Sequence, residues 1–321
     1  MTDFTWLAIF GGAGVAAGFI LQRSRLCFVS ALRDLFLFQA TGMTRSILLL
    51  LLLSSLGGAL VIAARRAVDE PVPVLWGPPS LAAILLGGLL FGFGMVLAGS
   101  CAATAFWRTG EGQLSQVPVL LGLLLGTHAY VAVPLFPQID MQVMANRWVQ
   151  AVVLATLIAA ILWRERRAKT VGEEVAVTSR LGRWRRPWHS DVGALALALL
   201  FLLFVSATGS TWRVTVAFLL TDMAAVALVG GLVLGGHLSA RWGREWRIRP
   251  IGTWPEVRLR LAGGLFMGYG ARMASGCTVG LLLSGAVLST WNILWWIAAV
   301  VVGAWVGSVA LRQFIARLLR S

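Results

Sequence analysis

A glycine-rich apolar phrase that ends in a cysteine occurs twice in this chain: GGLLFGFGMVLAGSC from Gly87 to Cys101, and GGLFMGYGARMASGC from Gly263 to Cys277. The second copy begins 176 positions after the first, and the two 15-residue windows share seven identities, five of them Gly or Cys. Glycine is common in membrane helices, so a single G-x-G step would carry little information. The matched Gly-Gly pair, G-x-G step and terminal cysteine together indicate an internal duplication.

The composition is that of a membrane protein. The 321 residues are 58% hydrophobic and only 12% charged, against roughly 25% charged residues in an ordinary soluble domain. Apolar runs long enough to cross a bilayer recur along the chain. They predict about nine spans, near residues 5–22, 43–63, 81–99, 114–133, 146–163, 191–208, 212–235, 256–275 and 290–311. Five tryptophans are expected at the lipid headgroups, namely Trp6, Trp107, Trp212, Trp291 and Trp295.

The net charge of +14 comes largely from loops between spans, which argues against nucleic-acid binding. Residues 164–190 hold eight Lys or Arg and three acids, and residues 241–260 hold six Arg and two Glu. Such loops are retained in the cytoplasm. This rule predicts a multi-pass protein of a bacterial inner membrane, with the N-terminus periplasmic and the C-terminus cytoplasmic.

In this threading the two copies of the phrase cross the membrane in opposite directions, as in the inverted repeats of many transporters. The predicted fold is therefore all-α and polytopic, with an N-terminal half (1–163), a basic cytoplasmic linker (164–190) and an inverted C-terminal half (191–321). A third glycine-rich helix leads to Cys27, and Val226–Trp246 resembles it. With Gly18 placed on Gly236, however, Cys27 falls on Glu245, so this cysteine has no counterpart.

The segments after Cys101 and Cys277 are mildly apolar but too short to span, which predicts short helices that enter the membrane and turn back. Non-helical backbone at that depth must be buried in protein or line a cavity, and the halves are expected to meet there. The start of such a helix attracts anions. The residues expected to expose backbone or add hydroxyl donors are Gly99, Ser100, Gly276 and Thr278.

A thiol is soft and polarisable and a weak hydrogen-bond donor, so it suits a sulfur-bearing ligand. A lone membrane cysteine is usually only a small hydrophobic residue, but Cys101 and Cys277 close matched repeats and are interpreted as pathway residues. On pattern alone Cys27 remains open between the two roles. Arg272 lies within a span, where a charge indicates function; the alternative is a structural pair with Asp222. Arg25, near Cys27, could mark the interface or offset substrate charge.

Three motifs of the chain resemble those of the YeeE/YedE family: RSRLCFVSALRD (Arg23–Asp34), GFGMVLAGSC (Gly92–Cys101) and GYGARMASGCTVG (Gly268–Gly280). Members are sulfur-compound permeases, and the best understood import thiosulfate. The resemblance implies that Cys27, Cys101 and Cys277 line the path and contact the substrate in turn. It also implies a small cytosolic sulfurtransferase of the TusA type as a partner.

The leading hypothesis is thus a thiosulfate permease, with no catalytic residue, cofactor or metal expected. Three cysteines without a C-x-x-C pair do not indicate a disulfide framework or a zinc site, and no Walker A sequence is present. The first alternative is a permease for another sulfur or selenium species. The second is a membrane thiol oxidoreductase or sulfurtransferase, although such enzymes usually carry a vicinal cysteine pair. A scaffold protein would leave the duplication unexplained.

Overall fold

The computed structural model describes residues 3–38, 40–69, 80–136, 187–212, 214, 216–219, 222–288 and 292–318, with isolated positions between 152 and 162. The helices with defined bounds are α1 Asp3–Ser24, α2 Phe28–Arg33, α3 Gly42–Ala67, α4 Leu81–Ala98, α5 Ala102–Gly110, α6 Val117–Ala132, α7 Ser190–Thr208, α8 Met223–Trp242, α9 Trp254–Met273, α10 Thr278–Leu288 and α11 Asn292–Leu318. Short 3₁₀ turns precede α6 and α8, at Leu114–Gln116 and Val216–Leu219.

The chain is an all-α polytopic membrane protein, as predicted. Seven stretches of the described residues are long and apolar enough to cross a bilayer. Helix α9 is not among the seven, because Glu256 and several arginines lower its apolarity. Most of the predicted span 146–163 and of the linker 164–190 lies outside the described residues, so the predicted number of nine spans stays a prediction.

Helices α4 and α9 carry the two copies of the repeated phrase and cross through their glycines. A Cβ added to Gly87 would lie 2.7 Å from the carbonyl oxygen of Gly270, and one added to Gly94 would lie 2.5 Å from that of Gly263. The repeat aligns Gly87 with Gly263 and Gly94 with Gly270, so the two contacts are equivalent. Residue numbers rise along α4 as they fall along α9. The two copies therefore run antiparallel, as an inverted repeat requires.

The helices that flank this crossing are also arranged symmetrically. Helix α6 packs in parallel against α9, and α11 packs in parallel against α4, again through glycines whose Cβ atoms would meet backbone. In the rest of the body α1 packs in parallel against α8, and α3 packs in parallel against α7. These contacts match the helices of the two halves in chain order. The helices α1, α3, α4 and α6 of the N-terminal half correspond to α7, α8, α9 and α11 of the C-terminal half.

The predicted resemblance of α1 to α8 does not reflect inversion. Gly14 packs against Gly231 and Leu228, and Gly18 packs against Leu232, so residue numbers rise together along the two helices. Parallel neighbours cannot be inverted copies of each other, and the alignment of Gly18 with Gly236 is therefore wrong. Both helices are rich in glycine because they pack against each other closely.

A second correction concerns the predicted span 212–235. Helix α8 begins only at Met223, where the Asp222 carboxylate accepts hydrogen bonds from the N–H groups of Ala224 (3.0 Å) and Ala225 (3.2 Å). The described residues between α7 and α8 return into the body instead. The Trp212 ring packs edge-on against Phe201, with ring centroids 5.0 Å apart.

Two of the five tryptophans expected at the headgroups lie inside the protein. Trp107 and Trp212 are 1% and 2% exposed. Both belong to segments that turn back into the body of the protein, so the predicted position at the lipid headgroups is wrong for these two residues. Trp295 is half exposed, whereas Trp291 lies outside the described residues.

Candidate functional site

Each of the three cysteines follows a sharp reversal of the chain at the end of a long helix. The reversals occur at Arg25 (φ 55°), Gly99 (φ 67°) and Ser275 (φ 60°), in the left-handed region that ends many helices. Two residues after each reversal comes a cysteine, and the next residue begins α2, α5 or α10. The prediction of short helices that start beside Cys101 and Cys277 is confirmed, and Cys27 has the same local geometry.

The segments that carry the cysteines enter the body from opposite faces. The ends of α1 and α8 meet on one face, where Arg25 and Gln22 bind Glu245, and Ala98 at the end of α4 lies beside Gly263 in the first half of α9. We call this the basic face, because the arginine-rich residues 241–249 lie there. Cys27 and Cys101 enter from the basic face, whereas Cys277 follows the other end of α9 and enters from the opposite face.

One threonine connects the first two cysteines. The Thr104 hydroxyl lies 3.2 Å from the Cys101 sulfur and 3.5 Å from the Cys27 sulfur. Thr104 stands three residues after Cys101, one helical turn into α5, so its side chain faces the start of that helix. The two thiols, 74 positions apart in sequence, therefore share one hydroxyl in the interior.

Cys277 has the corresponding arrangement on α10. Its sulfur accepts a hydrogen bond from the N–H of Gly280 at 3.5 Å, and the residue is fully buried. The neighbouring Thr278 hydroxyl lies near the Cys101 sulfur but makes no well-oriented hydrogen bond to the described residues. Thr278 therefore joins the two cysteine segments and keeps a hydroxyl without a hydrogen-bond partner in the described chain.

A cavity of about 50 Å³ lies at this junction, several times the roughly 10–15 Å³ that one water requires. Cys27, Cys101, Thr104 and Thr278 supply its polar atoms, and the remaining lining is apolar: Leu21, Leu26, Phe28, Ile47, Leu50, Leu51, Ala103, Leu197, Val279, Leu282 and Leu283. Thiols and hydroxyls against an apolar wall form a weakly polar surface that suits a soft, polarisable ligand better than a strongly hydrated ion.

The other predicted residues of the Gly–Cys phrases shape the backbone. The buried Ser100 hydroxyl donates to Gln116 Oε1 at 2.7 Å, and the Gly99 carbonyl accepts a bond from Arg108 at 3.4 Å. A Cβ on Gly276 would lie 2.8 Å from Leu281 Cβ, so glycine allows α10 to fold back here. These residues position the cysteines, and Ser100 already uses its hydroxyl.

Arg25 is held by acids on the basic face. Its guanidinium binds Glu245 at 2.7 Å and Glu111 at 3.2 Å, and it lies over the Trp107 ring at 6.0 Å. Glu111 is 1% exposed. The cluster ties the ends of α1, α5 and α8 together directly beyond Cys27.

Arg272 lies at the end of α9 near the opposite face. It is half buried, close to Tyr130, whose ring packs against Tyr269 with centroids 5.2 Å apart. It is not part of the cavity lining. The structure thus places Arg272 outside the contact between the cysteine segments, in the last turn of the helix that precedes Cys277.

Sequence reasoning did not single out Thr104, and it placed Trp107 at the lipid headgroups. Thr104 could have been found by its position one helical turn after Cys101, since side chains three apart share a helix face. The burial of Trp107 depends on the packing of α5 against α8, for which the sequence carries no local signal.

The chain matches known proteins along nearly all of its length. The family described as "Sulphur transport" matches residues 23–306. The thiosulfate transporter TsuA of Escherichia coli (strain K12) is 26% identical over 92% of this chain and 92% of its own. TsuA of Spirochaeta thermophila is 28% identical over 87% of this chain and 92% of its own. A probable transporter of Escherichia coli, YedE, is 35% identical over 36% of this chain and 27% of its own.

Proposed function

The chain belongs to the sulphur transport family, which bears out the YeeE/YedE resemblance, and from this premise we propose that it is a membrane permease that imports thiosulfate. It is a transport protein and not an enzyme, in agreement with the names of its relatives. The observation that carries the proposal is the junction of Cys27, Cys101 and Thr278, where segments from both faces meet beside one cavity.

Passage is stepwise in this proposal. Thiosulfate carries one soft terminal sulfur and three oxygens, and the thiols of Cys277, Cys101 and Cys27 act as successive weak donors to it. Weak binding at several sites lets an anion enter and also leave. Thr278 adds a hydroxyl at the start of α10, and the helix dipoles of α5 and α10 favour negative charge at their starts. Gly99 and Gly276 shape the turns that bring these starts together, while their own N–H groups bind the carbonyl oxygens of Val96 and Ala271. Ser100 supports this backbone through Gln116.

Two arginines extend the proposed pathway. Arg272 attracts the anion on the approach to Cys277. Arg25 lies beyond Cys27 and is bound by Glu111 and Glu245, so its charge becomes available to the anion only when one of these pairs opens. We therefore assign Arg272 to capture and Arg25 to a closed exit.

The proposed orientation follows from charge. The basic face carries residues 241–249 and the described end of the linker, where the Trp188 N–H donates to the Arg23 carbonyl oxygen, so we assign it to the cytoplasm under the positive-inside rule. The N-terminus is then periplasmic and the C-terminus cytoplasmic, with the inverted halves 1–163 and 191–321 on either side of the linker. Thiosulfate enters past Cys277, leaves past Cys27, and is received by a cytosolic TusA-like sulfurtransferase.

The proposal is tested by growth. A bacterial host that lacks its own thiosulfate importers is supplied with thiosulfate as sole sulfur source. The wild-type chain should restore growth, and the double variant Cys101→Ala with Cys277→Ala should not, although it reaches the membrane in equal amount. The matched control is Ser284→Ala, which removes a small buried polar group of α10. Cells with this variant should grow like those with the wild-type chain. Growth of the double variant at the wild-type rate would exclude the cysteine pathway.

A second candidate is thiol redox chemistry, and one observation favours it: Cys27 and Cys101 share the Thr104 hydroxyl, which brings two thiols of distant sequence close together. Mass spectrometry of the protein during turnover separates the two functions. A permease keeps all three thiols reduced, whereas an oxidoreductase or sulfurtransferase would accumulate a disulfide or a persulfide. Selenium and other sulfur species are distinguished by competition with thiosulfate in the uptake assay.

A further inference from the structure

A fourth segment of the protein begins with the same chain reversal as the three cysteine segments, although the described helical turn that follows it starts only at Val216. Helix α7 ends at Gly209 in the left-handed conformation (φ 64°), as α1, α4 and α9 end at Arg25, Gly99 and Ser275. Two residues after Gly209 comes Thr211, the position that a cysteine occupies in each of the other three segments. Thr211 is 7% exposed, compared with 3% for Cys27.

The direction of α7 makes this segment the inverted counterpart of the Cys27 segment. Phe10 packs against Phe204, and Ser24 packs against Gly193, so α1 and α7 run antiparallel. The segment after α7 therefore enters from the opposite face, whereas Cys27 enters from the basic face. Cys101 and Cys277 likewise enter the body from opposite faces.

A tertiary contact supports the correspondence independently. In one half, Thr104, three residues after Cys101, contacts Cys27. In the other half, Gly280, three residues after Cys277, lies where an added Cβ would be 3.2 Å from the carbonyl oxygen of Trp212, the neighbour of Thr211. The Thr211 segment thus rests on the Cys277 segment as the Cys27 segment rests on the Cys101 segment.

The segment is also fixed deep in the body. Trp212 packs against Phe201 and Phe204 of α7, and Phe218 stacks on Phe106 of α5 with ring centroids 5.6 Å apart. The Trp212 contacts hold the turn against α7, and the contact between Phe218 and Phe106 joins the segment to the Cys101 segment. Four buried segments, two from each face, therefore meet in the interior, with Cys277 and Thr211 just outside the lining of the cavity itself.

We propose that Thr211 is the fourth substrate-contacting residue of the pathway and lies on the same side of the junction as Cys277. This assignment rests on the proposed transport function. A hydroxyl is a harder and stronger hydrogen-bond donor than a thiol, so Thr211 binds an oxygen of the anion while the thiols contact its sulfur. The Thr211 hydroxyl, together with those of Thr104 and Thr278 and the three thiols, thus favours an anion that carries both oxygen and sulfur.

The test compares variants that keep or remove the hydroxyl. Thr211→Val keeps the shape of the side chain, and Thr211→Ser keeps the hydroxyl. Thr127→Val is the matched control, because Thr127 is a fully buried threonine of α6, a helix that carries none of the four segments. Uptake of radiolabelled thiosulfate is measured in cells without other importers and normalised to the amount of folded protein in the membrane.

A hydrogen bond from a hydroxyl to a charged ligand is worth about a tenfold change in affinity, so Thr211→Val should raise KM about tenfold. Thr211→Ser and Thr127→Val should stay within about twofold of wild type. If Thr211→Val does not accumulate in the membrane, uptake is compared between Thr211→Cys and Thr211→Ala instead. The cysteine variant should then take up more thiosulfate than the alanine variant, because its thiol is a hydrogen-bond donor.

The outcomes separate this assignment from the proposed function. Wild-type uptake with an unchanged KM in the variant without the hydroxyl would overturn the role of Thr211 and leave the thiosulfate pathway intact. Equal loss in Thr211→Val and Thr127→Val would also overturn it, since it would show a general effect of buried threonines. Absence of uptake by the folded wild-type protein would overturn both proposals.

Discussion

At the scale of single residues, the site is built from weak donors. Thr104 contacts the sulfurs of both Cys27 and Cys101, and the Thr278 hydroxyl nearby has no hydrogen-bond partner among the described residues. Thiols and single hydroxyls bind an anion far less tightly than a set of arginines would. This difference suits a protein that must release its ligand, and it makes the contribution of each residue small and measurable.

The Thr104 hydroxyl should matter for transport more than for folding. Thr104→Val keeps the volume of the side chain and removes the bond shared by two thiols, a loss of about 1 kcal/mol or about fivefold in uptake. Thr104→Ser should retain uptake. Initial rates of thiosulfate uptake, with membrane abundance measured in parallel, check both variants. Equal uptake by Thr104→Val and Thr104→Ser would show that the hydroxyl has no part in the pathway.

At the scale of secondary structure, glycines decide how closely the helices approach. Gly94 of α4 lies against the backbone of α9, where an added Cβ would be 2.5 Å from Gly263 O and 2.8 Å from Met267 N. Gly12 of α1, in contrast, has no heavy atom within 4 Å of the position of a Cβ. The same residue type therefore has a packing role in one helix and none in the other.

Gly94→Ala should force α4 away from α9, because the two nearest atoms that the methyl group meets belong to backbone. Overpacking of this kind costs about 1–3 kcal/mol. The control Gly12→Ala should be neutral or stabilise α1 by about 0.5–1 kcal/mol, since alanine is the better helix former. Thermal unfolding in detergent compares the two variants. A melting temperature of Gly94→Ala at or above that of Gly12→Ala would show that the two helices do not cross as described.

The repeated phrase predicted α4, α9 and the short helices after them, because its glycines and cysteine serve the same local geometry in both copies. The segment at Thr211 could not be predicted in this way, since only its reversal at Gly209 and its tertiary contacts resemble the others. The glycines of α1 and α8 predicted a false correspondence. They serve the contact between two parallel neighbours, and close packing selects glycine whether or not the helices are inverted copies.

At the scale of the whole molecule, an arginine holds helix ends together on each face. The basic face is tied together by Arg25, Glu111 and Glu245 beyond Cys27. On the opposite face, Arg65 of α3 donates to the carbonyl oxygens of Val205 and Ser206 at the end of α7. The first cluster closes the proposed exit, and the second caps the helix that leads to Thr211.

The Arg25 cluster should contribute to stability through Glu111. Arg25→Ala leaves the buried Glu111 carboxylate without this cation and should cost about 1–2 kcal/mol, a modest value because Arg25 itself is 40% exposed. The double variant Arg25→Ala with Glu111→Gln should regain part of this loss, since the uncompensated charge is gone. Unfolding of the four proteins of this cycle gives the coupling. Additive effects of the two substitutions would show that the pair contributes nothing.

The proposed orientation predicts which face is reached from the cytoplasm. In a background without the three native cysteines, Arg247→Cys on the basic face should react with a membrane-impermeant thiol reagent only in inside-out vesicles. Arg66→Cys, at the end of α3 on the opposite face, should react only in intact spheroplasts. The reverse pattern would show that the positive-inside rule fails for this protein and that its direction of passage must be reassigned.

The most direct test of the account is uptake of radiolabelled thiosulfate into proteoliposomes that contain only the purified chain and lipid. We predict saturable uptake without ATP. Cys101→Ala together with Cys277→Ala should lower it at least about tenfold, since each tenfold step requires only about 1.4 kcal/mol of lost interaction, while Ser284→Ala leaves it unchanged. Folded wild-type protein that takes up no thiosulfate, or a double cysteine variant that takes it up at the wild-type rate, would contradict the account.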